Sequence, residues 1–102
     1  MRARSVKRAR FYRTERVPLV VEMLAESPWC ELGDRIWRVA PRWRGCTREA
    51  IGLHELRKRG QGGSLTDRAN LLRCCGPCNS WVEDHPNLAH EAGLVLWAGE
   101  TG

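Results

Sequence analysis

The cysteines are the residues of this sequence whose spacing most clearly suggests chemistry. Cys75 and Cys78 form a Cys-Gly-Pro-Cys pair, so two thiolates from one tight turn can reach a single tetrahedral ion. Cys30 and Cys46 lie upstream, with fifteen residues between them, and can supply the other two ligands. We therefore predict a structural zinc site with Cys30, Cys46, Cys75 and Cys78 as its ligands.

A redox role is the alternative for a Cys-x-x-Cys pair, because thioredoxin-like proteins use the same spacing. Those proteins surround the pair with a βαβ pattern, which this sequence does not show. Cys74 is the fifth cysteine and stands in the apolar run Leu71, Leu72, Cys74. A free cysteine in such a run behaves as a small buried hydrophobic residue.

A second set of residues could perform hydrolysis. His54 and Glu55 end the apolar stretch 50–56, and Asn70 and Asn79 follow, Asn79 directly after the second cysteine of the pair. A neutral imidazole is a good proton acceptor near pH 7, whereas carboxylate and amide oxygens suit hard cations such as magnesium or manganese. Together these residue types could hold a hard cation and accept a proton from water; that they form one catalytic metal site is what the family resemblance described below implies. Glu83, one helical turn beyond Asn79, is a candidate for a further ligand.

Positive charge accompanies these residues. Arg57, Lys58 and Arg59 precede Gly60, Gly62 and Gly63, while Arg68 and Arg73 flank Asn70. Guanidinium groups bind phosphates through forked hydrogen bonds, and glycines permit a close approach of the backbone. We predict that these five cations contact nucleic-acid phosphates; the alternative is an ordinary flexible loop with solvated charges.

The segment 30–86 resembles the HNH endonuclease family through the stretches "LHELRKRGQGGS", "DRANLL" and "CCGPCNSWVEDHP". Small HNH proteins of tailed phages look similar in their basic arm, their helix and their long-spaced first cysteine pair. The resemblance implies a ββα-metal core around one divalent ion. It also implies DNA cleavage and a possible partnership with a phage terminase in genome packaging.

The family usually ends its first strand with a metal ligand followed by a base His. On this sequence His54 takes the first place and Glu55 the second, so Glu replaces the usual base. Asn70 matches the Asn that orders the loop, and Asn79 matches the last metal ligand. Two assignments remain open. Either His54 and Asn79 hold the ion and Glu55 is the base, or His54 is the base while Glu55 and Asn79 hold the ion. Because adjacent strand residues point to opposite faces, His54 and Glu55 are not both expected to reach the site.

Hydrophobic periodicity, together with the prolines and glycines that end helices and strands, predicts the secondary structure that must position these residues. Val17, Val20, Val21 and Leu24 recur at helical spacing, so we predict a packed helix from a Thr14 cap to about Glu26. Residues 29–46 are interpreted as a loop with a short strand or hairpin. Strands are predicted at 50–56 and 70–74, a helix near 78–84 after Pro77, and a last helix at 87–92 that Gly93 ends. The predicted fold class is a single small α+β domain.

Size and charge set the remaining expectations. The chain has 102 residues and a net charge of +5, and residues 1–16 alone carry seven basic side chains against Glu15. We expect a basic arm and helix at 1–28, and the metal-binding domain at 29–102. A domain this small gains stability from a metal. No signal peptide or membrane span is evident, so a cytoplasmic protein, or one in the host cytoplasm if phage-encoded, with reduced cysteines is expected.

Three classes of function therefore remain, and they can be separated by experiment. The first is a metal-dependent endonuclease that hydrolyses DNA phosphodiester bonds. The second is a zinc-stabilised module that binds nucleic acid with a weakened or lost active site, as the substitutions at Glu55 and Asn79 would allow. The third is a non-enzymatic protein partner, for which the five tryptophans would supply an interface.

Overall fold

The computed structural model describes residues 3–97 and residue 100, with the side chains described from residue 6 onward. A two-stranded sheet is surrounded by helices, which confirms the mixed α and β class. None of the helices within the described part is long and apolar enough to cross a membrane. The regular elements are α1 (Ala3–Phe11), a π-helical turn (Tyr12–Arg16), α2 (Val17–Glu26), α3 (Gly33–Val39), β1 (Gly52–Glu55), β2 (Leu71–Cys74), α4 (Gly76–Asp84) and α5 (Pro86–Glu91).

The N-terminal helix begins well before the position that the sequence suggested. Helical structure runs from Ala3 to Glu26 through the π-helical turn, and the amide of Val17 bonds the carbonyl of Tyr12. The predicted cap at Thr14 is wrong, because its hydroxyl donates to the carbonyl of Arg10 inside the helix, at 2.8 Å. Pro18 lacks a backbone N–H, and the wider turn before it accommodates this loss.

The buried face of α2 also differs from the predicted one. Val17 and Val21 are 52% and 62% exposed, whereas Met23 and Arg16 are buried. The helix turns Arg16 inward because its guanidinium reaches a carboxylate on β1. A periodicity of apolar residues cannot reveal this, since it gives no weight to a buried ion pair.

Residues 33–39 form a helix, so the predicted strand or hairpin across 29–46 is wrong in its main element. Leu32 and Ile36 lie one helical turn apart and are both fully buried. The only strand-like pairing within the described part of 29–46 is an isolated bridge between Trp29 and Glu49. The Ile, Trp and Val content favoured a strand, but such propensity is weak where burial decides the structure.

The two strands lie close to their predicted positions and pair in antiparallel fashion. Gly52 pairs with Cys74, and His54 pairs with Leu72. Asn70, predicted to start the second strand, instead ends a short 3-10 turn before it. Successive side chains of β1 face opposite sides of the sheet, which separates His54 from Glu55.

The two C-terminal helices confirm the predicted ones, each starting slightly earlier. Pro77 lies in the first turn of α4, and Pro86 lies in the first turn of α5, where their missing N–H groups carry no cost. Gly93 adopts a positive φ of 76° and reverses the chain after α5. The core joins α3, β2, α4 and the segment after Gly93; its largest fully buried side chains are Leu32, Ile36, Leu94, Val82, Cys75 and Cys78.

Candidate metal centre and adjoining reactive pair

Four cysteines meet at one point of the fold. Their Sγ atoms, from Cys30, Cys46, Cys75 and Cys78, all lie within 4.8 Å of one another. A tetrahedron of thiolates around zinc, with bonds of about 2.3 Å, places its sulfurs roughly 3.8 Å apart. The donor set and its spacing therefore fit a zinc ion, as the sequence predicted.

Backbone and indole N–H groups point at these sulfurs. The amides of Leu32, Arg48 and Cys78 donate to Cys30, Cys46 and Cys75 at 3.4, 3.3 and 3.4 Å. The indole of Trp43 donates to Cys78 at 3.4 Å. Such donors stabilise negative sulfur, which is the form that binds a metal.

The thiol pKa values diverge within the cluster. Burial would raise the pKa of Cys75, but hydrogen bonds from the backbones of Cys78 and Thr47 lower it to about 6. Burial raises the pKa of Cys78 and of Cys46. Several thiolates so close together repel one another, so a cation at their centre is what allows all of them to ionise.

Sequence reasoning missed two residues that shape the cluster. A Cβ on Gly33 would lie 2.7 Å from the sulfur of Cys46, so this position requires glycine. Arg48 adopts a positive φ of 73°, which is rare for a side chain of its size, and its carbonyl accepts from Cys30 at 2.6 Å. Gly33 could have been noticed as a glycine three residues after a cysteine; Arg48 gives no sequence signal.

Cys74 stays outside the cluster, as predicted. Its side chain is 4% exposed, and burial raises the pKa of its thiol to about 12. All five cysteines are free thiols in the structure, and so no disulfide competes with metal binding.

His54 is linked to the cluster by α4, because it contacts Asn79, the residue that follows Cys78 in that helix. It is buried at 4% exposure on β1. Its Nε2 lies 2.6 Å from the carbonyl oxygen of Leu94, and its Nδ1 lies 3.3 Å from Oδ1 of Asn79. A carbonyl oxygen only accepts hydrogen bonds, so Nε2 carries a proton, and in the neutral imidazole Nδ1 then presents a lone pair.

The contact between His54 and Asn79 brings two acceptors together. Nδ1 and the amide oxygen each offer a lone pair, and two such atoms at 3.3 Å repel unless a positive group lies between them. The opposite amide orientation would instead let Nδ2 of Asn79 donate to His54. A metal-binding histidine typically donates its other N–H to a carbonyl, as His54 does to Leu94.

Glu55 lies away from this pair. Its carboxylate accepts from Arg16 at 2.5 Å, and the same guanidinium donates to the carbonyl of Leu65. The Arg16 side chain is 10% exposed and that of Glu55 is 25% exposed. The structure therefore brings His54 and Asn79 together, whereas Glu55 pairs with Arg16. In this arrangement Glu55 is placed neither as the base nor as a ligand beside Asn79, the two roles that the sequence left open.

Asn70 fastens the loop between the strands. Its side-chain amide donates to the carbonyls of Arg57 and Ser64 at 3.0 and 2.9 Å, and its Oδ1 accepts from the amide of Arg57 at 2.9 Å. These bonds close the glycine-containing loop onto the start of β2. A single Asn thus replaces the backbone pairing that this irregular segment lacks.

Three of the five predicted phosphate-binding cations pair with carboxylates, and two of these three are arginines that contact α2. Arg68 pairs with Glu22 and Glu26, and this pairing lowers the pKa of Glu26 while raising that of Arg68. Arg73 donates to the carbonyl of Met23 and pairs with Glu31 and Glu26. Both arginines attach α2 to the sheet, a role that the sequence did not suggest.

The other three cations lie before the glycines. Lys58 pairs with Glu83 at 2.8 Å on the surface, so the predicted further ligand is held by a lysine. Nε of Arg57 is buried and has no hydrogen-bond partner among the described atoms. Arg59 is exposed and lines a groove of about 700 Å³ with Lys7, Arg8, Phe11 and Gly60.

The remaining histidines serve packing. His85 stacks on Trp81 with ring centroids 4.5 Å apart, and its Nδ1 lies 2.9 Å from the Trp81 carbonyl. His90 stacks on Trp97 and contacts Glu100 at 2.9 Å. The amide of Trp97 and the ring of His90 lower the pKa of Glu100.

Comparison with known proteins adds no relative: no family model, no curated protein and no solved structure matches this chain. The site is therefore interpreted from its own geometry.

Proposed function

We propose that this protein is a metal-dependent endonuclease that hydrolyses DNA phosphodiester bonds. The observation that carries the proposal is the approach of Nδ1 of His54 to Oδ1 of Asn79, at 3.3 Å, where Asn79 directly follows Cys78 of the four-cysteine cluster. The strand, loop, strand and helix order of the segment supports the resemblance to the HNH family and its ββα-metal core.

In this proposal Nδ1 of His54 and Oδ1 of Asn79 hold one divalent cation. Such an ion supplies Lewis-acid polarisation of a phosphate oxygen and lowers the pKa of a bound water. Magnesium commonly keeps several waters and substrate oxygens as its ligands, so two protein ligands are enough. Among the described residues, the only group of three or more cysteine, histidine or acidic ligands is the cysteine cluster. The substrate phosphate would therefore complete the second ion's shell.

His54 has a second possible role that its geometry permits equally. The Leu94 carbonyl fixes the proton on Nε2, and the free Nδ1 could accept a proton from water instead of binding the ion. Glu83 lies one helical turn beyond Asn79 and would then join Asn79 as an oxygen ligand after leaving Lys58. The experiment below separates these two roles.

The polyanionic substrate is supported by the distribution of charge. Lys7, Arg8 and Arg59 line one groove, and the chain as a whole carries a net charge of +5. Cations along a groove bind a phosphate backbone without reading its sequence.

The four-cysteine zinc would be structural, since all of its positions would be filled by protein sulfur. A phage terminase as partner, and the host cytoplasm as location, are further proposals that rest on the family resemblance alone.

The decisive experiment is cleavage of supercoiled plasmid by the zinc-loaded protein. Magnesium, manganese, nickel or a weak chelator would be added, with His54→Ala and Asn79→Ala beside the wild type. We expect relaxed or linear product that requires the added cation and both side chains. His85→Ala is a matched control, because its ring lies at the end of the same helix and outside the pair.

Binding of manganese, measured by electron paramagnetic resonance, assigns the role of His54. If His54→Ala loses both manganese and cleavage, His54 is a ligand. If it keeps manganese and loses cleavage, His54 accepts the proton. An intact plasmid under every cation, with a correctly folded zinc-loaded protein, refutes the nuclease.

The second candidate is a zinc-stabilised nucleic-acid-binding module without cleavage. The pairing of Glu55 with Arg16 favours it, because the carboxylate that follows His54 is committed to holding α2. This candidate predicts salt-sensitive gel shifts of DNA together with an uncut plasmid.

A further inference from the structure

A second groove adjoins the cysteine cluster, because Cys30 and Cys46 are among the residues that line it. It has a volume of about 810 Å³, and three tryptophans and two arginines line it beside the first two cysteines: Trp29, Trp37, Trp43, Arg44 and Arg48. Neither His54 nor Asn79 contributes to it. The proposed nuclease activity makes no use of this groove.

The aromatic side chains of this groove are unusually exposed. Trp29 is 61% exposed and Trp37 is 54% exposed, although a small domain needs its tryptophans for the core. Trp43 is held in place by its hydrogen bond to Cys78 and by contact with Trp81, whose ring centroid is 6.3 Å away. Exposed aromatic surface concentrated at one place marks a binding site.

Two cationic side chains of the groove, Arg44 and Arg48, can contact an anionic partner beside one acid, Asp34. The surrounding segment 29–50 carries five arginines and three acids. A ligand that fits must therefore combine flat apolar faces with negative charge.

We propose that this groove binds unpaired nucleobases of a single-stranded nucleic acid. The bases stack on Trp29 and Trp37, and Arg44 and Arg48 contact the phosphates between them. Every nucleotide offers a π-face and a phosphate, so a single strand meets both requirements without any particular sequence. An acidic peptide offers the charge, but it provides flat faces only where its sequence contains aromatic residues.

This proposal stands whether or not the protein cleaves DNA. If it does, α4 connects the two sites, because Cys78 accepts from Trp43 and the next residue is Asn79. The substrate would then be DNA with a single-stranded segment, such as an overhang or an unwound site.

The test measures binding of fluorescein-labelled ten-nucleotide oligothymidylate to the zinc-loaded full chain by anisotropy. Oligouridylate of the same length and a ten-base-pair duplex are separate arms. We expect the single strand to quench tryptophan emission. We also expect the Trp29→Ala/Trp37→Ala double variant to bind it at least ~10-fold more weakly, as the loss of one stacked base implies.

Two control variants test whether the loss of affinity is due to the missing aromatic rings of the groove or to a general effect of removing a tryptophan. Trp29→Phe/Trp37→Phe keeps stacking faces and should restore most of the affinity. Trp97→Ala removes a tryptophan outside the groove and should bind like the wild type. Zinc content must remain one ion per chain in each variant.

Equal affinity of the double alanine variant and the wild type for the single strand overturns the proposal. So does binding of poly-L-glutamate that requires both tryptophans while oligothymidylate binding does not, since the groove would then accept an acidic peptide. The thymidylate and uridylate arms differ in the 2′-hydroxyl and in the C5 methyl group, so the ratio of their affinities reports these two features together. Plasmid cleavage is scored separately, so that failure of the nuclease does not affect this result.

Discussion

The four-cysteine cluster and the His54–Asn79 pair meet at consecutive residues of α4, yet they are held in different ways. The cluster collects sulfurs from three separate parts of the chain and surrounds them with N–H donors. The pair uses one strand, one helix and one carbonyl, that of Leu94. A metal bound by the cluster would therefore link three parts of the chain, whereas the pair depends on a scaffold that is already folded.

The largest expected effect comes from removing a ligand of the cluster. Cys78→Ser should abolish zinc binding and cooperative unfolding, because a structural zinc contributes on the order of 10 kcal/mol or more to a small fold. Zinc content by mass spectrometry and thermal unfolding by circular dichroism measure this. Cys74→Ala is the control, since Cys74 lies outside the cluster and should keep one zinc per chain. A stable, zinc-free Cys78→Ser protein would contradict the structural role.

Asn79→Ala tests the residue that follows Cys78 and belongs to the His54–Asn79 pair. We expect about 10²-fold slower plasmid cleavage, because a cation ligand is lost, while zinc content and folding persist. The initial rate of loss of supercoiled plasmid measures the effect. Ser80→Ala, the next and exposed residue, should cleave at the wild-type rate. Zinc loss in Asn79→Ala would mean that the two sites are not separable.

Glu55→Gln separates the role of Glu55 from that of its neighbour His54 on β1. Arg16 would keep its charge in a site where its side chain is only 10% exposed, which we expect to cost about 2–3 kcal/mol, less than for a fully buried pair. The shift of the urea midpoint measures this cost. Cleavage per folded molecule should be unchanged. A folded Glu55→Gln protein that no longer cleaves DNA would show that Glu55 takes part in catalysis. Glu49→Gln, which changes an exposed acid, is the control for the change in net charge.

The smallest effects separate two arginines of the loop. Arg59→Ala should weaken DNA binding and reduce the salt dependence, expressed as log affinity against log salt, by about 1. Arg68→Ala should leave DNA binding unchanged and lower the stability only slightly, because its pairs with Glu22 and Glu26 are exposed. Gel shifts at several salt concentrations distinguish them. Equal losses of affinity in both variants would show that Arg68 leaves its acids to bind phosphate.

The comparison also explains what the sequence could predict. The cysteine set was predictable because a metal site depends on residue type and on a tight turn, both visible in Cys-Gly-Pro-Cys. The strands, α4 and α5 were predictable because Pro77, Pro86 and Gly93 mark local boundaries. These features depend on neighbours along the chain.

What escaped prediction depends on distant partners. The helix at 33–39 forms because Leu32 and Ile36 fit the core, which outweighs the strand propensity of the segment. Arg16 turns α2 toward an acid thirty-nine positions away, and the Leu94 carbonyl orients His54 from forty positions away. No spacing rule connects such residues, and a backbone carbonyl carries no residue-type signal at all.

The carbonyl of Leu94 has a consequence for synthesis of the protein on the ribosome. His54 is made forty residues before its partner, so at about 5–20 residues per second its ring waits on the order of 2–8 s for orientation. All four cysteines precede Leu94 in the chain, the last of them by sixteen residues, so the ligand set is complete about 1–3 s before the Leu94 carbonyl is made. The residues that would bind the metal are therefore all present before the carbonyl that orients His54.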